Sequence, residues 1–176
     1  MQKAFSDTYA PAEDTFFLAG HIEKECGRSA LDVGTGSGYL AKVLEGGFEL
    51  VVGTDISFAA LSRQEDRISN AVCCKGSDAL RGGFDLAVCN LPYLPSDDIS
   101  DSTVDGGPEG LHVPLMMLKS AARCLRNGGK MLFLTSSLAN YATLMAHVES
   151  LGFSVSIVAK KRLFFEELII VEAVRR

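Results

Sequence analysis

The sequence predicts an α/β fold: a mostly parallel seven-stranded sheet with helices on both faces, finished by a C-terminal antiparallel hairpin. Three observations lead there. Short apolar runs alternate with helical patterns along most of the chain, and strand–helix alternation places parallel strands under covering helices. The last two apolar runs, Phe153–Val158 and Glu167–Ala173, are separated only by "AKKRLFFE". That stretch is too short for a crossover helix, so those runs pair antiparallel. Finally, 176 residues with 47% hydrophobic and 22% charged side chains suit one core, and residues 1–176 are expected to form a single domain.

The elements follow in order. Strands are expected at Ser29–Val33, Glu49–Thr54, Ala71–Lys75, Phe84–Cys89 and Lys130–Thr135, ahead of the two hairpin strands. Helices are expected at Tyr39–Leu44, Phe58–Arg67, Pro114–Leu125 and Asn140–Leu151, with Asn127-Gly128-Gly129 and Gly152 as helix stops. Between Ser77 and Phe84, "SDALRGGF" leaves no room for a helix, so that crossover is extended or a single turn. If the third strand is also the sheet edge, Ala71–Cys74 presents unpaired backbone groups. Either a partner chain covers them or the edge is short and twisted in a monomer.

Charge and composition narrow the function. The net charge of −5 gives no general positive field for phosphate backbones, so duplex DNA is a disfavoured partner. Lys160-Lys161-Arg162 reads as a solvated turn or strand end rather than a binding patch. Five cysteines contain no C-x-x-C pair and the three histidines are scattered, which gives no metal-ligand spacing and suggests reduced, buried thiols. "MQKAFSDTYAPAEDT" lacks a signal-peptide core, and no apolar run reaches the roughly 18 residues of a membrane span. A cytoplasmic location, away from membranes, is expected.

The chemistry concentrates at strand ends. In "ALDVGTGSGYLAKVL", Gly34, Gly36 and Gly38 alternate, but Tyr39 stands where the dinucleotide fingerprint needs its third glycine. The Lys and Ser/Thr of a phosphate-binding P-loop are absent too. Asp32, just before the turn, repels a pyrophosphate but attracts a cation or an ammonium group. Asp55 closes the next strand about 20 residues past the loop, the spacing at which a carboxylate reaches ribose hydroxyls. Asp78 follows the third strand and can accept a hydrogen bond from an adenine amino group. A ligand with a ribose, a base and a positively charged amino acid part fits these acids, and S-adenosylmethionine is such a ligand.

With "CNLPY" after the fourth strand, the chain resembles the Rossmann-like class I methyltransferases, and specifically those whose Asn-Pro-Pro-Tyr motif serves amino-group methylation. The opening "YAPAEDTFFL" and the ending "LFFEELIIVEA" resemble the short HemK-like branch that methylates the glutamine of the Gly-Gly-Gln motif in class 1 translation termination factors. The resemblance implies S-adenosylmethionine as methyl donor. Its contacts would be Thr15, Asp32, Gly34, Gly36, Asp55, Asp78, Ala79 through its backbone, and Asn90, with Tyr9 and Pro11 helping to close the site. Asn90, Leu91, Pro92 and Tyr93 would be catalytic. The Asn90 side-chain oxygen and the Leu91 carbonyl would accept the two N–H groups of the substrate amide, Pro92 would aim that carbonyl, and Tyr93 would pack on the planar amide. Leu91 departs from the commoner proline but preserves a backbone role. "DSTVDGGPEGLHVP" resembles the family's glycine-rich segment and is expected to be mobile and close to the protein substrate. The same branch works with a small zinc-binding activator that adds a strand to the sheet edge, which would place a partner along strand 71–75. An adenine methyltransferase acting on nucleic acid, a lysine methyltransferase acting on protein, and a non-catalytic cofactor-binding module remain the competing readings.

Overall fold

The computed structural model describes residues 10–65, 67–97, 101 and 103–176. Its elements run α1 (Glu13–Ile22), β1 (Gly27–Val33), α2 (Tyr39–Leu44), β2 (Phe48–Asp55), α3 (Phe58–Ser62), β3 (Ala71–Cys73), β4 (Phe84–Asn90), β5 (Leu94–Pro95), β6 (Asp105–Gly107), α4 (His112–Cys124), β7 (Leu125–Ser136), α5 (Tyr141–Ser150), β8 (Phe153–Arg162) and β9 (Glu167–Arg175). Seven strands form one sheet in the order β3-β2-β1-β4-β7-β9-β8. The pairs from β3 to β7 are parallel, whereas β9 runs antiparallel to both β7 and β8. The hairpin expected from "AKKRLFFE" is present, and β3 and β8 are the two edges.

Alternation along the strands divides the core between the two sheet faces. Leu31, Val33, Ala87, Cys89, Met131, Phe133, Ile169 and Val171 bury one face with Leu118 and Ala121 of α4 and Leu144 and Val148 of α5. Ala30, Leu86, Val88, Leu132, Leu134 and Ile170 bury the other with Leu18 and Ile22 of α1 and Leu40 and Leu44 of α2. The run Leu168–Val171 is fully buried because each successive residue feeds an opposite, covered face.

Several boundaries differ from the sequence expectation, each for a local reason. Helix α1 was not anticipated. Its N-cap, Ala12, makes no side-chain cap bond, so the usual start signal is absent, and the buried Leu18 and Ile22 hold it instead. At about 1.5–3 kcal/mol per large apolar side chain, two such burials outweigh a missing cap. Helix α3 ends at Ser62 rather than Arg67, since Ser62 Oγ donates back to the Phe58 carbonyl and Gln64 turns inward, 7% exposed. Helix α4 ends at Cys124, and Leu125 already pairs with Phe84. Asn127-Gly128-Gly129 is therefore not a helix stop. It lies within β7, where Gly128 has φ 72° and the register shifts between Phe84 and Leu86. Asn140 caps α5, accepting from the Thr143 amide.

Edge strand β3 is shorter than expected and carries exposed Ala71 and Cys73 around half-buried Val72. Lys160 and Lys161 lie in the end of β8, paired to Glu167 at 2.7 Å and Glu13 at 3.6 Å. Cys89 and Cys124 are buried, as expected of structural thiols, but Cys26 and Cys73 are exposed and all five are free. No helix among the described residues is long and apolar enough to cross a membrane.

Candidate active site

A cavity of about 490 Å³ opens at the carboxyl ends of β1, β2 and β4, where the strand order reverses. Its floor is the turn after β1. The Thr54 carbonyl accepts hydrogen bonds from the Gly34 and Thr35 amides, both at 2.8 Å, which ties the turn to β2. Gly34 has φ 77°, and a Cβ there would come within 2.9 Å of Met117 Cε. Any side chain would be strained and would displace the methionine that closes the cavity from α4. Gln64, released from α3, donates to the Gly36 carbonyl at 2.8 Å and fixes the far side of the turn.

The acids separate into different environments. Asp55 lines the cavity, and each of its oxygens accepts one backbone amide at 2.8 Å, from Gly36 and from Ser57. Each still has acceptor capacity for a hydroxyl. Asp32 is buried one layer behind. Its Oδ2 accepts the Thr35 hydroxyl at 2.7 Å, and its Oδ1 has no partner among the described residues. Burial pushes its carboxyl up to about 7, against the Thr35 hydrogen bond that pulls it down and with the help of the nearby Asp55 charge. Thr35, which the sequence reading passed over, reaches the cavity where Asp32 does not.

Asp78 and Ala79, expected to contact adenine, are outside the lining of this cavity. Asp78 turns toward α4, where it pairs with Arg123 and accepts from Ser120 at 3.1 Å. Ser120 also bonds Ser77, so the turn after β3 is pinned to α4 through that hydroxyl. Lys75 and Gly76 are the residues from this turn that line the cavity.

Asn90, Leu91, Pro92 and Tyr93 all line the opposite end, together with Pro11 and Thr15. Tyr9 lies outside the described residues. Helix α1 sets the orientation of Asn90, whose Nδ2 donates to Asp14 Oδ2 at 3.3 Å and contacts Thr15 Oγ1 at 3.5 Å. This leaves Asn90 Oδ1 a buried acceptor without a partner among the described residues. Leu91 buries its side chain, 3% exposed, and its N–H donates to the Leu134 carbonyl at 3.3 Å, prolonging the β4–β7 ladder by one bond.

Among its described residues, the glycine-rich segment contributes a strand and a short turn beside the motif. Strand β6 pairs with β5, and residues Pro108–Gly110 form a single 3-10 turn against the motif. Thr103, Val104 and His112 enter the cavity lining from this side, as does Glu166 from the β8–β9 turn, held by Ser136 Oγ. Sequence reasoning missed Asp14, Thr35, Gln64 and Glu166. Only Asp14 carried a signal, as the neighbour of Thr15. Among the described residues, no group of three or more His, Cys, Asp or Glu is placed to hold a metal ion.

A strand-end glycine turn, a carboxylate on the next strand and Asn-x-Pro-Tyr on the fourth agree with what comparison finds: residues 5–165 match the family model of the methyltransferase small domain. The chain belongs to that family. The fold is the Rossmann-like fold of class I methyltransferases, and membership implies S-adenosylmethionine as methyl donor. This methyltransferase is 30% identical over 98% of its length, and 94% of the other chain, to a provisionally named protein N5-glutamine methyltransferase of Methanocaldococcus jannaschii. It is 35% identical over 57% of its length to the release factor glutamine methyltransferase of Bradyrhizobium diazoefficiens, of which it spans only 41%. Among solved structures it resembles the E. cuniculi Mtq2–Trm112 complex, responsible for methylation of the translation termination factor eRF1. The TM-score is 0.83 at 25% identity, covering 97% of this chain and 100% of that one.

Proposed function

We propose that this methyltransferase moves the methyl group of S-adenosylmethionine to the side-chain amide nitrogen of the glutamine in the Gly-Gly-Gln motif of a class 1 release factor. The observation that carries this reading is the unpartnered Asn90 Oδ1 beside Pro92 and Tyr93. A buried acceptor left unsatisfied costs about 1–3 kcal/mol, which a substrate N–H placed on it recovers. Asp14 and Thr15 engage the amide nitrogen of Asn90, so its oxygen is the atom that remains for the substrate.

The cofactor supplies an electrophilic methyl group on a sulfonium; the residues of this chain supply position. The cavity fits it, with Gly34 and Gly36 giving close backbone approach, Asp55 giving ribose acceptors and Lys75-Gly76 taking the base end in place of Asp78 and Ala79. Asp32 acts through Thr35. A primary amide nitrogen is a poor nucleophile because its lone pair is delocalised, so alignment does most of the work. Asn90 Oδ1 and the Leu91 carbonyl each accept one N–H, Tyr93 flanks the amide plane, and the two acceptors stabilise the positive charge that grows on nitrogen during attack.

The 176 residues work as one domain in the cytoplasm, with a small zinc-binding activator along β3. Support for that surface comes from its chemistry. Asn70 O and Cys74 N bond to β2, so by alternation the Ala71 and Cys73 backbone groups face outward, beside exposed Ile56 and Phe58. A lysine acceptor is the second reading, favoured by the carboxylates of Asp14 and Glu166 in the lining.

The test is methyl transfer from labelled S-adenosylmethionine to a purified release factor, with and without the activator. A Gln→Ala factor and duplex DNA serve as controls. Label lost only in the Gln→Ala factor establishes glutamine. Equal labelling of that factor moves the assignment to lysine, and labelled DNA moves it to adenine.

A further inference from the structure

The β8–β9 turn holds two adjacent phenylalanines in water, Phe164 at 92% and Phe165 at 86% exposure. Their rings pack edge to face, 4.6 Å between centroids, and contribute nothing to either core cluster. Beside them lies a second hollow of about 310 Å³, lined by Ser137, Arg162 and the phenylalanines, and it shares Glu166 with the main cavity. We infer that Phe164 and Phe165 form the docking platform for the segment of the protein substrate that flanks the acceptor residue. This rests on the proposed reading that the acceptor belongs to a protein.

Three observations choose this occupant. The hollow and the main cavity share Glu166 as a wall, and Asn90 lines that same main cavity, so a chain whose acceptor side chain enters beside Asn90 has the rings within its reach. The platform is preorganised: Leu163 N donates to the Glu166 carbonyl at 2.8 Å, Glu167 N to Ser137 Oγ at 2.9 Å and Ser137 N to the Glu167 carbonyl at 2.9 Å. Aromatic side chains, phenylalanine among them, are enriched at the cores of protein interfaces. Thirdly, a subunit added along β3 joins the sheet at the edge opposite this turn. β3 and β8 are opposite edges, six strand spacings apart, roughly 29 Å at about 4.8 Å each. A partner seated on the β3 edge and a substrate segment on the rings would thus occupy opposite edges of the sheet.

The experiment compares wild type with Phe164→Ala/Phe165→Ala and with Phe164→Tyr/Phe165→Tyr, each with activator, on the intact release factor. The readouts are kcat/KM, Kd for the Gln→Ala factor and Kd for S-adenosylmethionine. Expected for the double alanine is an about 30-fold loss in kcat/KM and in affinity for the factor, the size of a truncated aromatic anchor. Cofactor Kd should hold, and the double tyrosine should restore most of the loss. Factor affinity within threefold of wild type overturns the inference, as does an equal loss of cofactor binding. If wild type labels a protein other than the release factor, the glutamine reading falls and the same comparison on that protein decides the platform. A wild type that labels no protein overturns both.

Discussion

Gly106 is where the bracing of the Asn-x-Pro-Tyr motif can be tested without touching the cavity, because it packs behind the motif and is not part of the lining. A Cβ at this position would sit 2.6 Å from the Pro92 carbonyl oxygen and 2.8 Å from Gly110 Cα. Both are backbone atoms, so no rotamer change relieves the contact. Ordinary contact begins near 3.4 Å, which leaves an overlap of about 0.8 Å to be absorbed by moving β6 or the motif. Overpacking of this kind costs on the order of 1–3 kcal/mol. A displacement near 1 Å at a positioning group costs about 10²-fold in rate. Gly106→Ala should therefore lower kcat by roughly 10- to 100-fold, while S-adenosylmethionine affinity, set at the other end of the cavity, changes by less than about twofold. Single-turnover methyl transfer at saturating cofactor, beside calorimetric cofactor binding, reads the two effects apart. The control is Gly20→Ala in α1, where an added Cβ meets nothing within 4 Å. A Gly106→Ala enzyme at wild-type rate would refute the idea that this segment, packed on Pro92, holds the motif and its Leu91 carbonyl in position.

Leu91→Pro, the commoner residue in such motifs, should keep the chemistry but lose the Leu91 N–H to Leu134 bond, lowering stability by about 1 kcal/mol in urea unfolding with kcat within a few fold. A large loss of kcat would show that position 91 contributes more than its carbonyl. Asp32 predicts a pH dependence. Between its ordinary value of 3.8 and about 7, the unfolded chain has released this proton while the folded chain keeps it. The folded state then binds more protons, and stability falls as pH rises through that window by up to about 1.4 kcal/mol per unit, levelling off above it. Asp32→Asn removes this contribution, so unfolding free energies of variant and wild type should shift in the variant's favour from about pH 4 to about pH 7; parallel curves would rule out the raised value. Cys73→Pro deletes an outward N–H on the open edge at no cost to the β2–β3 ladder. Expected are unchanged cofactor binding and loss of co-purification with the activator, and a complex that survives the substitution would place the partner elsewhere.

The half of the cavity nearest β1 and β2 was legible because the needed information is local. A strand, a glycine turn and an acid at the next strand end must converge in a parallel sheet whatever packs around them, and Gly34, Gly36 and Asp55 do. The same logic does not bring Asp78 into the lining. Strand endings give a position along the chain, but a side chain turns toward its best partners, and Arg123 and Ser120 come from a helix more than forty residues away. At the acceptor end almost everything but the motif is remote. Asp14 arrives on a helix held by burial rather than by a cap, Thr103 and Val104 arrive on a segment braced by glycine contacts, and Glu166 arrives on a hairpin turn tied to Ser136 and Ser137. Donor-side residues recur wherever the same ligand must be held, so pattern reading finds them. Acceptor-side residues answer to one substrate and are assembled by tertiary packing from α1, β6 and the β8–β9 turn. It follows that substitutions in those three elements, rather than in the glycine turn, are the ones expected to change which acceptor this enzyme methylates while leaving its hold on the methyl donor intact.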